Sequence, residues 1–181
     1  MFSFLKKIMR RIRGEPDIEL LVRNGMAVGV NLHMQDHCRI DISFCWLISI
    51  GNNVTLAPNV SIIAHDTSTK RHLGYTKIGL VSIGDNTFVG QDATILPGVR
   101  IGRNCIIGAG SVVNRDVPDN SVFAGNPARF LCSTETFVSR NKELMANHPV
   151  FDFSWTTQSG VSEEKKHVMI ERLQDGIGFI E

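Results

Sequence analysis

The sequence predicts an all-β solenoid, a stack of short strands and tight corners with short α-helices at its two ends. Three observations predict it. An aliphatic residue returns at every sixth position through Ile83, Val89, Ile95, Ile101, Ile107 and Val113. Glycine directly follows four of these, as Gly84, Gly90, Gly102 and Gly108. The same phase runs upstream as Ile50, Leu56 and Ile62, and more loosely as Val28, Met34 and Ile40. Such a period fits neither a helix face nor a single flat strand. It asks for a strand and a turn, repeated, with one inward side chain each time.

Taken in order, residues 1–25 read as a basic amphipathic helix and connector. Met1 to Arg13 holds Lys6, Lys7, Arg10, Arg11 and Arg13 with no acid, and Phe2, Phe4, Leu5, Ile8, Met9 and Ile12 supply apolar contacts. That pattern suits an anionic membrane surface, and equally a short helix packed over the end of a solenoid. Pro16 to Arg23 continues as helix or connector.

Residues 26–131 carry the repeats. Gly-Asn-Asn at 51–53, Gly-Asp-Asn at 84–86 and Gly-Arg-Asn at 102–104 recur just after an aliphatic residue, where a corner needs residues that tolerate left-handed backbone. Val54, Val60, Thr87, Ala93, Val99, Cys105, Ser111 and Val117 stand two positions before the next aliphatic, and their small or β-branched side chains suit narrow corners and short strands. Three hexads close one triangular coil, and coils stack like neighbouring strands, about 4.8 Å apart, so four make a prism of roughly 20 Å.

Two irregularities interrupt the period. From Ile40 to Ile50 the spacing is ten, so an irregular coil places Trp46 near a corner or an edge. From Ile62 to Ile83 it is twenty-one, and the surplus over residues 64–82 is an extruded loop, polar and basic, bounded by good repeats. Loops displayed by rigid scaffolds are favoured places for function. After Pro118 a turn-rich stretch ends the stack, and residues 132–181 read as a helical cap or tail. Thr134 to Asn147 and Ser162 to Gln174 are its helices, the second with Ser162 as cap, Glu163 and Glu164 in the first turn and Gly176 as stop.

Composition narrows the functional classes. A formal net charge of +1 over 181 residues, without a basic run interleaved with aromatics in the repeats, argues against a nucleic-acid partner. Cys38, Cys45, Cys105 and Cys132 are scattered without a CxxC pair, which points to reduced thiols in the cytoplasm and to buried small hydrophobes. No apolar stretch approaches the roughly 20 residues of a membrane span, and the amino terminus lacks a signal-peptide pattern.

The segments I-G-N-N-V-T-L-A-P-N-V, A-H-D, I-G-D-N-T-F-V-G, I-L-P-G-V-R-I-G, I-I-G-A-G-S-V-V and A-G-N-P-A-R, spread from Val28 to Arg129, resemble the hexapeptide-repeat acyltransferases, closest to the maltose, galactoside and capsular-polysaccharide O-acetyltransferase branch. The resemblance implies a left-handed parallel β-helix, a homotrimer, and acetyl-CoA as co-substrate in the groove between subunits. It implies a carbohydrate acceptor and no metal. The histidine after the A-P-N hexad is the general base of relatives, here His65. The residue type suits the chemistry, because a sugar hydroxyl attacks a thioester only as a base removes its proton, and imidazole titrates near neutral pH. Asp66, next in sequence, is a candidate to orient the ring, as is a backbone carbonyl. By resemblance Phe88, Gly90 and Gln91 line the pantetheine, and Ala109, Asn114, Arg115 and Arg129 approach the far end, with the two arginines for phosphate. Phe88 replaces a frequent tryptophan and Gln91 a small polar residue. Gly108 to Ser111 offers either a smooth wall for the coenzyme or simply a tight corner.

Tyr75 and Trp46 are candidates to stack on a sugar face, and Lys70, Arg71 and His72 could face the acceptor; for Trp46 a structural role at an irregular coil is the alternative. Serine as acceptor is disfavoured, because serine acetyltransferases carry a long helical domain ahead of their repeats. Two other classes use such a scaffold. A zinc-dependent γ-type carbonic anhydrase would need three histidines converging between subunits, and His33, His37, His65 and His72 do not match that family's spacing. A non-catalytic solenoid would bind no coenzyme. The expected location is the cytoplasm, with peripheral contact at the inner membrane face through residues 2–13.

Overall fold

A computed structural model describes residues 16–181. The basic amphipathic segment at 1–13 lies outside the described residues. The chain divides into two compact units, one ending at Thr134 and the other running from Glu135 to Glu181.

The first unit opens with α1 (Ile18–Arg23), whose N-cap Asp17 accepts a hydrogen bond from Leu20 N. The repeats follow as strands only two or three residues long, and successive strands join three sheets in rotation. The first sheet holds β1 (Ala27–Val28), β4 (Ile48–Ile50), β9 (Val81–Ile83) and β12 (Arg100–Ile101). The second holds β2 (His33–Met34), β5 (Thr55–Leu56), β10 (Phe88–Val89) and β13 (Ile106–Ile107). The third holds β3 (Arg39–Ile40), β6 (Ser61–Ile62), β11 (Thr94–Ile95) and β14 (Val112–Val113). All these pairings are parallel and keep register, for example Ile50 with Ile83, Ile83 with Ile101 and Val89 with Ile107. A chain that visits three parallel sheets in turn is a three-sided solenoid, four coils tall, as the period predicts.

Its interior follows from the two sequence columns. Ile83, Val89, Ile95, Ile101, Ile107 and Val113 are all buried, and so are Val54, Val60, Ala93, Val99 and Val117 at the inner corners. Two polar members of the second column are satisfied there. Thr87 Oγ1 donates to Gly102 O at 3.0 Å and accepts from Cys105 N at 3.1 Å, and Ser111 Oγ donates to Gly108 O at 2.6 Å. The corners between the first and second sheets hold asparagines in left-handed backbone, Asn31, Asn53, Asn86, Asn104 and Asn120, all with φ between 53° and 57°. Their amides bond along the stack, Asn31 to Asn53 and Asn53 to Asn86, each at 3.0 Å. Val28 and Met34 are only half-buried, in keeping with the looser phase of the first coil.

The stack ends later than the loss of period suggests. Val117 bridges to Ile101, and β15 (Ser121–Ala124) adds a further parallel strand beside β13. An antiparallel partner, β16 (Arg129–Ser133), then covers that edge. The turn-rich reading missed these strands because a terminal hairpin obeys no hexad; its ladder is closed by antiparallel backbone bonds instead.

The second unit begins within the first turn of α3 (Thr134–Ala146) and includes α4 (Glu163–Arg172), with Ser162 accepting from Lys165 N at 3.2 Å as its cap. It also contains a parallel pair, β17 (Val150–Phe151) with β18 (Phe179–Ile180), so a purely helical tail is corrected. Phe151 is buried against Trp155 at 5.0 Å between ring centroids, with Lys165 Nζ 5.1 Å from the indole.

Candidate active site

Both irregularities of the period fall at one edge of the prism, the corner between the third and first sheets. After β3 the chain leaves register at Asp41, turns through a short 3-10 segment (Cys45–Leu47), and resumes at β4. After β6 it leaves again at Ile63, forming the extruded arm. The arm is rooted by an antiparallel pair, β7 (His65–Asp66) with β8 (Lys77–Ile78), in which His65 opposes Ile78. Beyond that root it carries one helical turn, α2 (Lys70–Leu73), closed by Gly74 at φ 75°.

Stacking puts the two departures one above the other, so Asp41 and His65 meet. Asp41 Oδ2 bonds the Nδ1 of His65 and accepts from Ala64 N at 3.0 Å. Oδ1 accepts from Ser43 N at 3.0 Å and Phe44 N at 3.3 Å. The Asp41 side chain is 2% exposed and that of His65 30%. Burial pushes the Asp41 carboxyl up, but the His65 hydrogen bond, the Ala64 and Ser43 N–H groups and the imidazole's charge together outweigh it, and the acid is held below its ordinary value. An ionised carboxylate can only accept, so Nδ1 carries a proton, and whenever the ring is neutral its lone pair is the one at Nε2. Phe44 packs on the imidazole at 5.2 Å between centroids and Trp46 packs on Phe44 at 5.6 Å. Cys45 anchors the turn from below, its thiol 3.7 Å from the carbonyls of Leu21 and Asn24.

Asp66 does something else. Its carboxylate accepts from Ser68 N at 2.8 Å and pairs with Lys77 Nζ at 2.5 Å, and those contacts hold it far below the usual carboxylate range. The residue next to His65 therefore braces the arm, and Asp41, twenty-four positions upstream, touches the ring. Strand geometry gives the reason, since neighbours along β7 point to opposite faces. Sequence reading missed Asp41 and Phe44. The one available signal was an Asp-x-Ser turn where the hexad spacing first fails.

The remaining candidates divide between edges. Asn114 and Arg115 are exposed directly after Val113, on the same edge as His65. Gly90, Gln91 and Ala109 lie on the edge between the second and third sheets, where Gly110 N donates to Gln91 O at 2.7 Å. Phe88, 43% exposed, projects from the adjoining second face, and Arg129 opens β16 with its guanidinium on Ala128 O at 3.0 Å. Gly90 and Gly108 are needed for packing, because a Cβ there would lie 2.6 Å from Ala109 N and 2.7 Å from Ala124 Cβ respectively. Gly110, at φ 66°, faces open space. Trp46 and Tyr75 are 56% and 79% exposed. Within one chain, then, the imidazole and the Gln91 group occupy different edges of the prism. His33, His37, His65 and His72 lie on separate elements, and among the described residues no three His, Cys, Asp or Glu side chains cluster as metal ligands. Among the same residues no helix is long and apolar enough to cross a membrane.

Residues 81–115 match the family profile described as bacterial transferase hexapeptide (six repeats). A maltose O-acetyltransferase from Clostridium difficile superposes with a TM-score of 0.54 at 30% identity, covering 72% of this chain and 84% of that one. The galactoside O-acetyltransferase of Escherichia coli is 35% identical over 120 residues, 65% of this chain and 58% of the relative. A serine acetyltransferase from Neisseria gonorrhoeae superposes with a TM-score of 0.50 at 27% identity, over 60% of this chain and 39% of that protein. The matches span about half the length of the curated relatives.

Proposed function

Because the chain belongs to the hexapeptide-repeat transferase family, we propose that it transfers an acetyl group from acetyl-CoA to a hydroxyl of a saccharide, with His65 as general base and Asp41 as its positioning residue. The observation that carries this reading is the Asp41 contact, which supports a proton on Nδ1 and leaves Nε2 as the nitrogen to serve an acceptor. The acceptor hydroxyl gives its proton to Nε2 as its oxygen attacks the thioester carbonyl. The tetrahedral oxyanion then collapses, the carbon–sulfur bond breaks, and the coenzyme leaves as a thiolate that takes the proton back from the imidazolium. The Asp41 carboxylate stabilises the imidazolium between these steps.

A saccharide is favoured over serine by coverage, since the likeness extends over 84% of the maltose O-acetyltransferase and only 39% of the serine acetyltransferase. On this reading the coil is left-handed and three copies assemble in the cytoplasm. Phe88, Gly90, Gln91 and Ala109 of one copy flank the pantetheine, with Asn114, Arg115 and Arg129 toward the phosphates. Trp46 and Tyr75 are the acceptor's stacking candidates. The separation of the two residue groups onto different edges supports a site completed between copies. The direct test is His65→Ala, assayed by thiol release with a working saccharide: kcat falls by about 10²- to 10⁴-fold. Unchanged turnover removes His65 as the base.

A further inference from the structure

We infer that the acceptor is an acidic saccharide whose anion is held by Lys70 and Arg71 of α2; this rests on the acetyl-transfer reading above and adds the charge class of the substrate. Asp66 is the only acid between His65 and Leu80, against Lys70, Arg71 and Lys77. Its carboxylate is taken by Lys77 at the root of the arm. That leaves Lys70 and Arg71 on consecutive exposed positions with no acid of the arm to neutralise them, and His72 beside them. Elsewhere the first unit does neutralise such a group, as where Arg103 Nη2 meets Asp119 Oδ2 at 3.0 Å.

The arm is also built to hold these cations in place. Asp66 caps the turn after β7 through Ser68 N, and Thr69 Oγ1 donates to Tyr75 O at 2.9 Å across the arm. The β7–β8 pairing ties its two ends together beside His65. One 3-10 turn (Thr67–Thr69) separates His65 and Asp66 from α2. At the rise of such turns Lys70 begins roughly 10 Å along the chain path from the imidazole. From a backbone at that range, long lysine and arginine side chains have the reach to meet the anion of a sugar that offers a hydroxyl to Nε2. A guanidinium and an ammonium each serve a carboxylate or a phosphate, so a uronic acid and a glycosyl phosphate share the required chemistry.

The test compares three acceptors, a neutral pyranoside, the matching uronate and the matching sugar 1-phosphate, by thiol release at saturating acetyl-CoA. The expected result is a kcat/KM at least tenfold higher for an acidic acceptor than for the neutral one. In the Lys70→Ala, Arg71→Ala double variant that preference falls at least tenfold while KM for acetyl-CoA holds; the larger preference, uronate or phosphate, identifies the anion. Equal use of neutral and acidic acceptors overturns the inference. So does a double variant that keeps the preference but raises KM for acetyl-CoA, which would assign the arm to the coenzyme's phosphates. If no acceptor releases thiol, the acetyl-transfer reading is at fault, and calorimetric titration of the same three saccharides decides the subsite independently. Tighter binding of an acidic saccharide, lost in the double variant, supports it, and equal binding overturns it.

Discussion

At the scale of single residues, the buried carboxylate beneath His65 has consequences that can be separated. Asp41→Asn keeps the shape of the side chain but removes the charge that fixes the tautomer and stabilises the imidazolium. On the acetyl-transfer reading proposed above, turnover drops on the order of 10²-fold or more with KM for both substrates little changed, measurable by steady-state thiol release. The same carboxylate affects folding. Its acid is weaker in the unfolded chain, near the usual value of about 3.9, than in the fold, where His65 and two N–H groups favour the charged form. A group so depressed contributes stability above its unfolded value and loses it as pH falls through the folded one. The difference in urea midpoint between wild type and Asp41→Asn should thus shrink as pH falls below about 4. His65 was legible in the sequence because a motif surrounds it, whereas Asp41 was hidden because its partnership exists only between stacked coils.

Elements as short as β10 or β11 owe almost nothing to intrinsic propensity and nearly everything to the coil above and below. Two substitutions probe this. Ile95→Ala removes a fully buried side chain from the inner ladder and should cost about 2–5 kcal/mol in denaturant titration. Gly84→Ala would place a Cβ 2.6 Å from the Gly102 carbonyl carbon and 2.7 Å from Arg103 N, both backbone, so the next coil must shift; a loss of about 1–3 kcal/mol is expected by the same measurement. Two-residue strands were readable because every coil repeats the same inward column. The strands β15 and β16, and the pair β17 and β18, were not, because each is made once, by partners far apart in sequence or in antiparallel sense, and leaves no period. The helix α4 was readable from its first turn, as Ser162 and the acids after it show, whereas the single turn of α2 inside the arm carried no such signal.

For the whole molecule, the division of candidate residues between two edges makes a demand on assembly. If a site forms where one copy's His65 edge meets another's Gln91 edge, native mass measurement gives a multiple of the 20.1 kDa chain. Mixing inactive His65→Ala chains with chains crippled at Arg129, after partial unfolding and reassembly, should restore activity that neither has alone. Failure to restore it would place both groups in one copy's pocket. The registered corners, from Asn31 up to Asn120, carry a last implication. Ile83 and Ile101 are stacked equivalents, so excising residues 84–101 would splice Ile83 onto Gly102 and let Asn53 find Asn104 where Asn86 had been. The height of this protein is a number that can be counted down by whole turns, and a relative with a shorter or taller column is reached by duplication or loss of sequence without inventing any new join.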